Sequence, residues 1–158
     1  MKQNISKIFL FLTIFLLLNC GFKTLEKSQI NSFTVNDIIT TGDKRVNYKI
    51  KNILLANSTN DSQNILSINL SSDKNKVVKE KNIKNEIIKY QITLNVTLEF
   101  KKLKKENKVK TILSATGDYN VAKNNSTTLN FEKKLIENLA ENISNRILDA
   151  INLKLNDI

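Results

Sequence analysis

Between Ile88 and Phe100 every second residue is apolar. Ile88, Tyr90, Ile92, Leu94, Val96, Leu98 and Phe100 fall in one register, and Lys89, Gln91, Thr93, Asn95, Thr97 and Glu99 in the other. Side chains of an extended chain alternate between two faces, so the pattern reads as a strand and not as a helix. At about 3.3 Å per residue such a stretch reaches roughly 43 Å, long against the usual five or six residues. One face must pack on something, while the other meets water or a polar partner. We take this as the central strand.

The flanking sequence supplies its neighbours. A charged turn, Lys101 to Lys108, leads to a return strand, Val109 to Val121, in which Val109, Thr111, Leu113 and Ala115 alternate. The two form an antiparallel hairpin. Upstream, Leu66, Ile68 and Leu70 alternate with Ser67, Asn69 and Ser71 in a strand running on through Val77 and Val78. Lys79 to Asn85 reads as a basic turn. Ser32 to Thr40, with Phe33, Val35 and Ile39 in near alternation, reads as a first strand. Thr41 or Asp43 caps a helix from Lys44 to Ala56 whose Val46, Ile50, Ile53 and Leu54 share one face. Asn57 to Gln63 is a loop. Thr127 or Thr128 caps a long helix, Leu129 to Leu155, with Glu132 near its start and a stripe of Leu135, Ile136, Leu139, Ala140, Ile143, Ile147, Ala150 and Ile151. The order β-α-β-β-β-α predicts an α+β two-layer sandwich: a four-stranded, mostly antiparallel sheet with both helices on one face.

The chain begins differently. Lys2 and Lys7 precede an apolar run from Ile8 to Leu18, interrupted only by Thr13. As a helix these residues span about 16 Å, half of a ~30 Å hydrocarbon core, which matches a secretory signal segment better than a membrane span. Cys20 follows directly, in Leu17-Leu18-Asn19-Cys20-Gly21, and is the only cysteine. The arrangement resembles a bacterial lipobox, with Asn19 where a small residue is usual. Residues 1–19 then read as signal peptide, 20–31 as lipidated N-terminus and tether, and 32–158 as the domain. Cys20 would carry the lipid, diacylglycerol with an N-acyl chain such as palmitate. The alternatives are an uncleaved anchor or an ordinary buried cysteine.

Composition narrows the chemistry. With no histidine, and Cys20 committed to lipid, the chain offers neither imidazole nor thiolate for a metal site or an activated nucleophile. Three glycines and no proline leave no Gly-rich phosphate loop. Ser71-Ser72-Asp73-Lys74 matches a Ser-x-x-Lys spacing, but no Lys-Thr-Gly or Ser-Asp-Asn follows. The expectation is a protein that is not an enzyme and holds no cofactor and no metal. The net charge of +10 falls to +8 once Lys2 and Lys7 leave with the signal segment, 23 basic against 15 acidic residues. A basic surface suits an anionic lipid or an acidic partner. Export and the lack of an aromatic array disfavour nucleic acid.

Several features in succession resemble the LPS-assembly lipoprotein family LptE. They are Cys20-Gly21-Phe22 at the mature start, Thr41-Gly42-Asp43 before a short helix, Ile88-Lys89-Tyr90-Gln91-Ile92 opening the long strand, and Gly117-Asp118-Tyr119-Asn120 before a long terminal helix. The resemblance implies a lipid-anchored outer-membrane protein on the periplasmic side. It would plug and help assemble the large β-barrel LptD and bind lipopolysaccharide (LPS) for delivery to the cell surface. It also implies basic residues in two loops as LPS contacts; the candidates are Lys79, Lys81 and Lys84 in the first and Lys123 in the second. The alternative is a small lipoprotein that regulates a cell-envelope enzyme or serves an ABC-type transporter, since fold does not fix function.

Overall fold

The alternating stretch forms strand β3 (Ile87–Lys102) of the computed structural model, which describes residues 32–155. The signal segment, Cys20 and the whole tether, residues 20–31, lie outside the described residues. Around β3 stand β1 (Thr34–Gly42), α1 (Lys44–Ala56), β2 (Ile65–Lys81), β4 (Lys108–Asn120) and α2 (Asn125–Lys154), in the expected order β-α-β-β-β-α. The sheet runs β1-β2-β3-β4. β2, β3 and β4 pair antiparallel, whereas β1 pairs parallel with β2 because α1 carries the chain back between them. The sheet is therefore mixed, with one parallel pair.

Burial follows the alternation. Ile92, Leu94, Val96, Leu98 and Phe100 of β3 are buried, as are Leu66, Ile68 and Leu70 of β2. Against them pack Val46, Ile50 and Leu54 of α1 and Ile136, Leu139, Ala140, Ile143, Ile147 and Ile151 of α2. Both helices thus share one face of the sheet. No described residue packs over its other face, whose middle carries uncharged polar side chains, among them Ser67, Asn69, Ser71, Thr93, Asn95, Thr97, Ser114 and Thr116. The Thr93 and Thr116 hydroxyls meet there at 3.0 Å.

Three details differ from the sequence reading. In β1 the register shifts between Val35 and Asp37, a bulge that reverses the phase of the strand. Ile38 therefore packs against the core and Ile39, expected inside, is 60% exposed. Helix α2 begins at Asn125, four residues early, because the Asn124 side chain accepts the Ser126 N–H at 2.7 Å and serves as the N-cap. The Thr128 hydroxyl instead accepts the Ala122 N–H, at 2.9 Å. The third concerns β2, which runs three residues past the expected Val78. Its pairing with β1 ends at Ser72, yet the strand continues to Lys81. Asp73 to Lys81 thus runs on beside β3, with no strand on its outer side among the described residues.

Candidate functional site at the hairpin end

β2 and β3 meet in a turn held by two asparagines. Asn85 adopts φ 63°, a left-handed conformation asparagine tolerates, and its N–H donates to the Asn82 carbonyl at 2.9 Å. The Asn82 side-chain oxygen accepts the N–H groups of Lys84 and Glu86 at 2.9 and 3.0 Å. This leaves Ile83 at the tip, its side chain wholly exposed. β4 finishes at the same end of the sheet: Asn120 lies opposite Lys89, and the Val121 N–H donates to the Ile88 carbonyl at 2.9 Å. The topology therefore brings Lys79, Lys81, Lys84 and Lys123 to one end of the domain.

They are not equivalent there. Lys79 and Lys81, expected in a turn, belong to β2, since the strand runs past its apolar part and the turn is confined to 82–86. The Lys79 ammonium is paired with Asp118, across β3 from it, while Gln91 donates to the same carboxylate at 3.0 Å. Those bonds, Lys79 first, hold the Asp118 carboxyl below its usual range. Lys81 donates to the Asn85 side chain at 3.0 Å, a neutral partner. Lys84 and Lys123 have no ion pair among the described residues. Lys89 pairs with Glu80 at 2.8 Å. Ile83 is the addition that sequence reading missed: one apolar residue inside Lys-Glu-Lys-Asn-Ile-Lys-Asn carries no periodic signal. Val77, Val78 and Val121 are also substantially exposed at this end. Ammonium groups and an apolar tip together present an amphipathic, cationic surface.

Behind the tip, on the helix side, a polar clasp joins the sheet to α2. Beyond Ser72 the inward positions of β2 are Lys74, Lys76 and Val78, where α1 no longer supplies cover. The Lys76 ammonium lies 4.3 Å from the centre of the Tyr90 ring and 2.6 Å from Glu132. Tyr119 stacks on Tyr90 at 5.6 Å between centroids and donates its hydroxyl proton to Glu132 at 2.7 Å. Burial pushes the Glu132 carboxyl up, but Lys76 and Tyr119 outweigh it and hold the group below its ordinary value. Burial likewise opposes the charge on Lys76, and Glu132 overcomes it, so the ammonium is held above its ordinary value. Burial, first, raises the Tyr119 hydroxyl.

The short motifs also find structural reasons. Gly42 has φ +92°, and a Cβ there would stand 1.8 Å from the Ser72 carbonyl oxygen. Asp43 caps α1 by accepting the Arg45 and Val46 N–H groups, both at 3.0 Å, and pairs with Lys74 at 3.3 Å. A Cβ on Gly117 would lie 2.7 Å from Leu135 Cδ1, so the glycine leaves room for that side chain of α2 against β4. Ser71 and Lys74, three residues apart in a strand, turn to opposite faces and form no dyad. Among the described residues no cluster of His, Cys, Asp or Glu is placed to hold a metal, and no helix is long and apolar enough to cross a membrane.

These features define a class: a small α+β sandwich with an open polar sheet face and an overlong basic hairpin. No protein-family model matches the sequence, and no curated protein matches it. Solved structures do. Rare lipoprotein B from Shewanella oneidensis superposes with a TM-score of 0.59 at 13% identity, covering 80% of this chain and 98% of that one. A Caulobacter crescentus chain described as a lipoprotein gives 0.56 at 14% identity, over 81% of this chain and 93% of that one. At such identities the likeness establishes a shared fold.

Proposed function

We propose that this chain is an outer-membrane lipoprotein subunit of the LPS translocon, seated in an LptD-type β-barrel and contacting LPS at the hairpin end. The observation that carries the reading is the fold shared with rare lipoprotein B over nearly the whole of that protein, a name used for the LptE family. The lipobox-like Cys20, expected to hold the chain to the membrane by covalent lipid, supports it from the sequence. The open sheet face adds a physical reason: hydroxyl and amide side chains suit the polar, water-filled interior of a large barrel. At the hairpin end, Lys81, Lys84 and Lys123 offer charge to phosphates and acidic sugars, while Ile83 offers an apolar contact. No step of this work requires catalysis.

Affinity purification of the tagged full chain from detergent-solubilised membranes tests the reading. Recovery of a large β-barrel protein in stoichiometric amount supports it. Recovery of an inner-membrane ATPase or a peptidoglycan enzyme supports the alternative, a lipoprotein that regulates an envelope enzyme or serves a transporter.

A further inference from the structure

Among the described residues the sheet has three free edges, and they are not protected alike. β1 carries a bulge between Val35 and Asp37. The outer edge of β2 beyond Ser72 carries Asp73, Lys74, Lys76, Lys79, Glu80 and Lys81, and its register shifts at Val78/Glu80 and again at Glu80/Lys81. Charge and bulges are the means by which sheet edges are kept from pairing. β4 has neither. Its register with β3 is unbroken from Lys108 to Asn120, and Thr111-Ile112-Leu113-Ser114-Ala115-Thr116-Gly117 holds no charge. Ile112 is 69% exposed on the open face.

The Val121 N–H turns inward to the Ile88 carbonyl, so the odd-numbered residues of β4 bond to β3 and the even-numbered ones face outward. Lys110, Ile112, Ser114, Thr116 and Asp118 thus present main-chain N–H and C=O groups to the outer side. Arg146 of α2 reaches one of them, the Ser114 carbonyl, at 2.8 Å. A carbonyl has two lone pairs, so that contact leaves room for a second donor.

We infer that the outer edge of β4 pairs antiparallel with β4 of a second copy of this chain, about a two-fold axis at Ser114. The sequence of the edge is self-complementary in that register. Ser114 meets Ser114, Ile112 meets Thr116, and Lys110, which has no ion pair of its own among the described residues, meets Asp118. Opposite charges directly across a ladder favour the pairing, and no side chain of the strand from Thr111 to Gly117 opposes it; the two Arg146 guanidiniums, one on each Ser114 carbonyl, are the like charges the interface must hold apart. The result is a continuous eight-stranded sheet with an isologous interface. A domain paired in this way is not seated singly in a barrel, so the inference describes the chain outside the barrel and does not rest on the translocon reading.

Sedimentation of the full chain in density-matched detergent, over a concentration series, reads the association directly. The expected result is a monomer–dimer equilibrium. Ile112→Lys removes two symmetry-related Ile–Thr pairs and weakens the equilibrium about tenfold or more. Thr116→Lys does the same from the other side of each pair, and unchanged circular dichroism checks that both variants fold. Ser114→Cys forms a disulfide-linked dimer on mild oxidation, faster than Ile39→Cys on the β1 edge and above the background of the parent chain. A monomer at every concentration overturns the inference. So does a dimer that neither lysine variant weakens, or one that Ile39→Cys traps equally fast, because it then uses another surface.

Discussion

The Tyr119 hydroxyl donates a 2.7 Å hydrogen bond to the Glu132 carboxylate, joining the end of β4 to the second turn of α2 across 13 residues of chain. Lys76 completes the group from β2, so three elements converge on one carboxylate. A hydrogen bond to a charged, partly buried acceptor contributes more than a neutral one. Tyr119→Phe keeps the ring stack on Tyr90 and loses only that bond. The expected cost is about 1–2 kcal/mol in urea unfolding, with the m-value unchanged.

Acid should loosen the same group. Glu132 is held below its ordinary 4.5 and Asp43 below its ordinary 3.8, in each case against burial and by the bonds it accepts. A carboxyl with a lowered folded-state pKa contributes stability that is fully present above its unfolded value and lost as pH falls through its folded value. Urea midpoints are therefore expected to fall once the pH drops below these ordinary values. Lys76, held above its ordinary 10.5, keeps its contribution below that value and loses it only in stronger alkali. Glu132→Gln is less stable at neutral pH and shows a shallower acid decline. An identical acid limb in that variant would remove Glu132 as its source.

The two glycines of the domain should respond differently. At Gly42 an added Cβ meets backbone, and the positive φ remains strained for any side chain. Gly42→Ala is expected to cost more than about 2 kcal/mol. At Gly117 the obstacle is the end of a leucine side chain, which can turn aside. Gly117→Ala should cost about 1 kcal/mol or a little more, and Leu135→Ala should absorb most of that penalty in a double-mutant cycle.

The lysines at the hairpin end divide by what holds them. Lys84→Glu with Lys123→Glu disturbs no ion pair, so stability should stay within about 0.5 kcal/mol while binding of purified LPS weakens, most at low salt. Lys79→Glu sets two carboxylates against each other at Asp118 and should lower the urea midpoint where the Lys84/Lys123 pair does not. If the Lys84/Lys123 pair, tested together with Lys81→Glu, leaves LPS binding unchanged, this end is not the contact.

Much of this architecture is legible in the sequence because burial on one face imposes a period. The alternation from Ile88 to Phe100 and the 3.6-residue spacing of Val46, Ile50 and Leu54 identify β3 and α1, the latter to its ends. The bulge in β1 is not legible, because one unpaired residue shifts the phase without altering composition. The start of α2 is hidden by redundancy: Asn124, Asn125, Ser126, Thr127 and Thr128 are all cap formers, and only the fold selects Asn124. Lys79 and Lys81 read as turn residues because charge is the local mark of a loop. A strand edge that keeps neighbours away carries the same mark. The clasp of Lys76, Tyr119 and Glu132 joins residues up to 56 apart, and no local pattern encodes it.

Because β2 overruns β1, the hairpin end of the described domain is supported by β3, β4 and α2 and not by β1. The nine residues past Ser72 run about 30 Å beside β3 at ~3.3 Å each, and only the last of them passes the end of β4. Substitutions near Ile83 are thereby insulated from the interior packed by α1, so the far end is free to diverge in chemistry while the folded body stays the same.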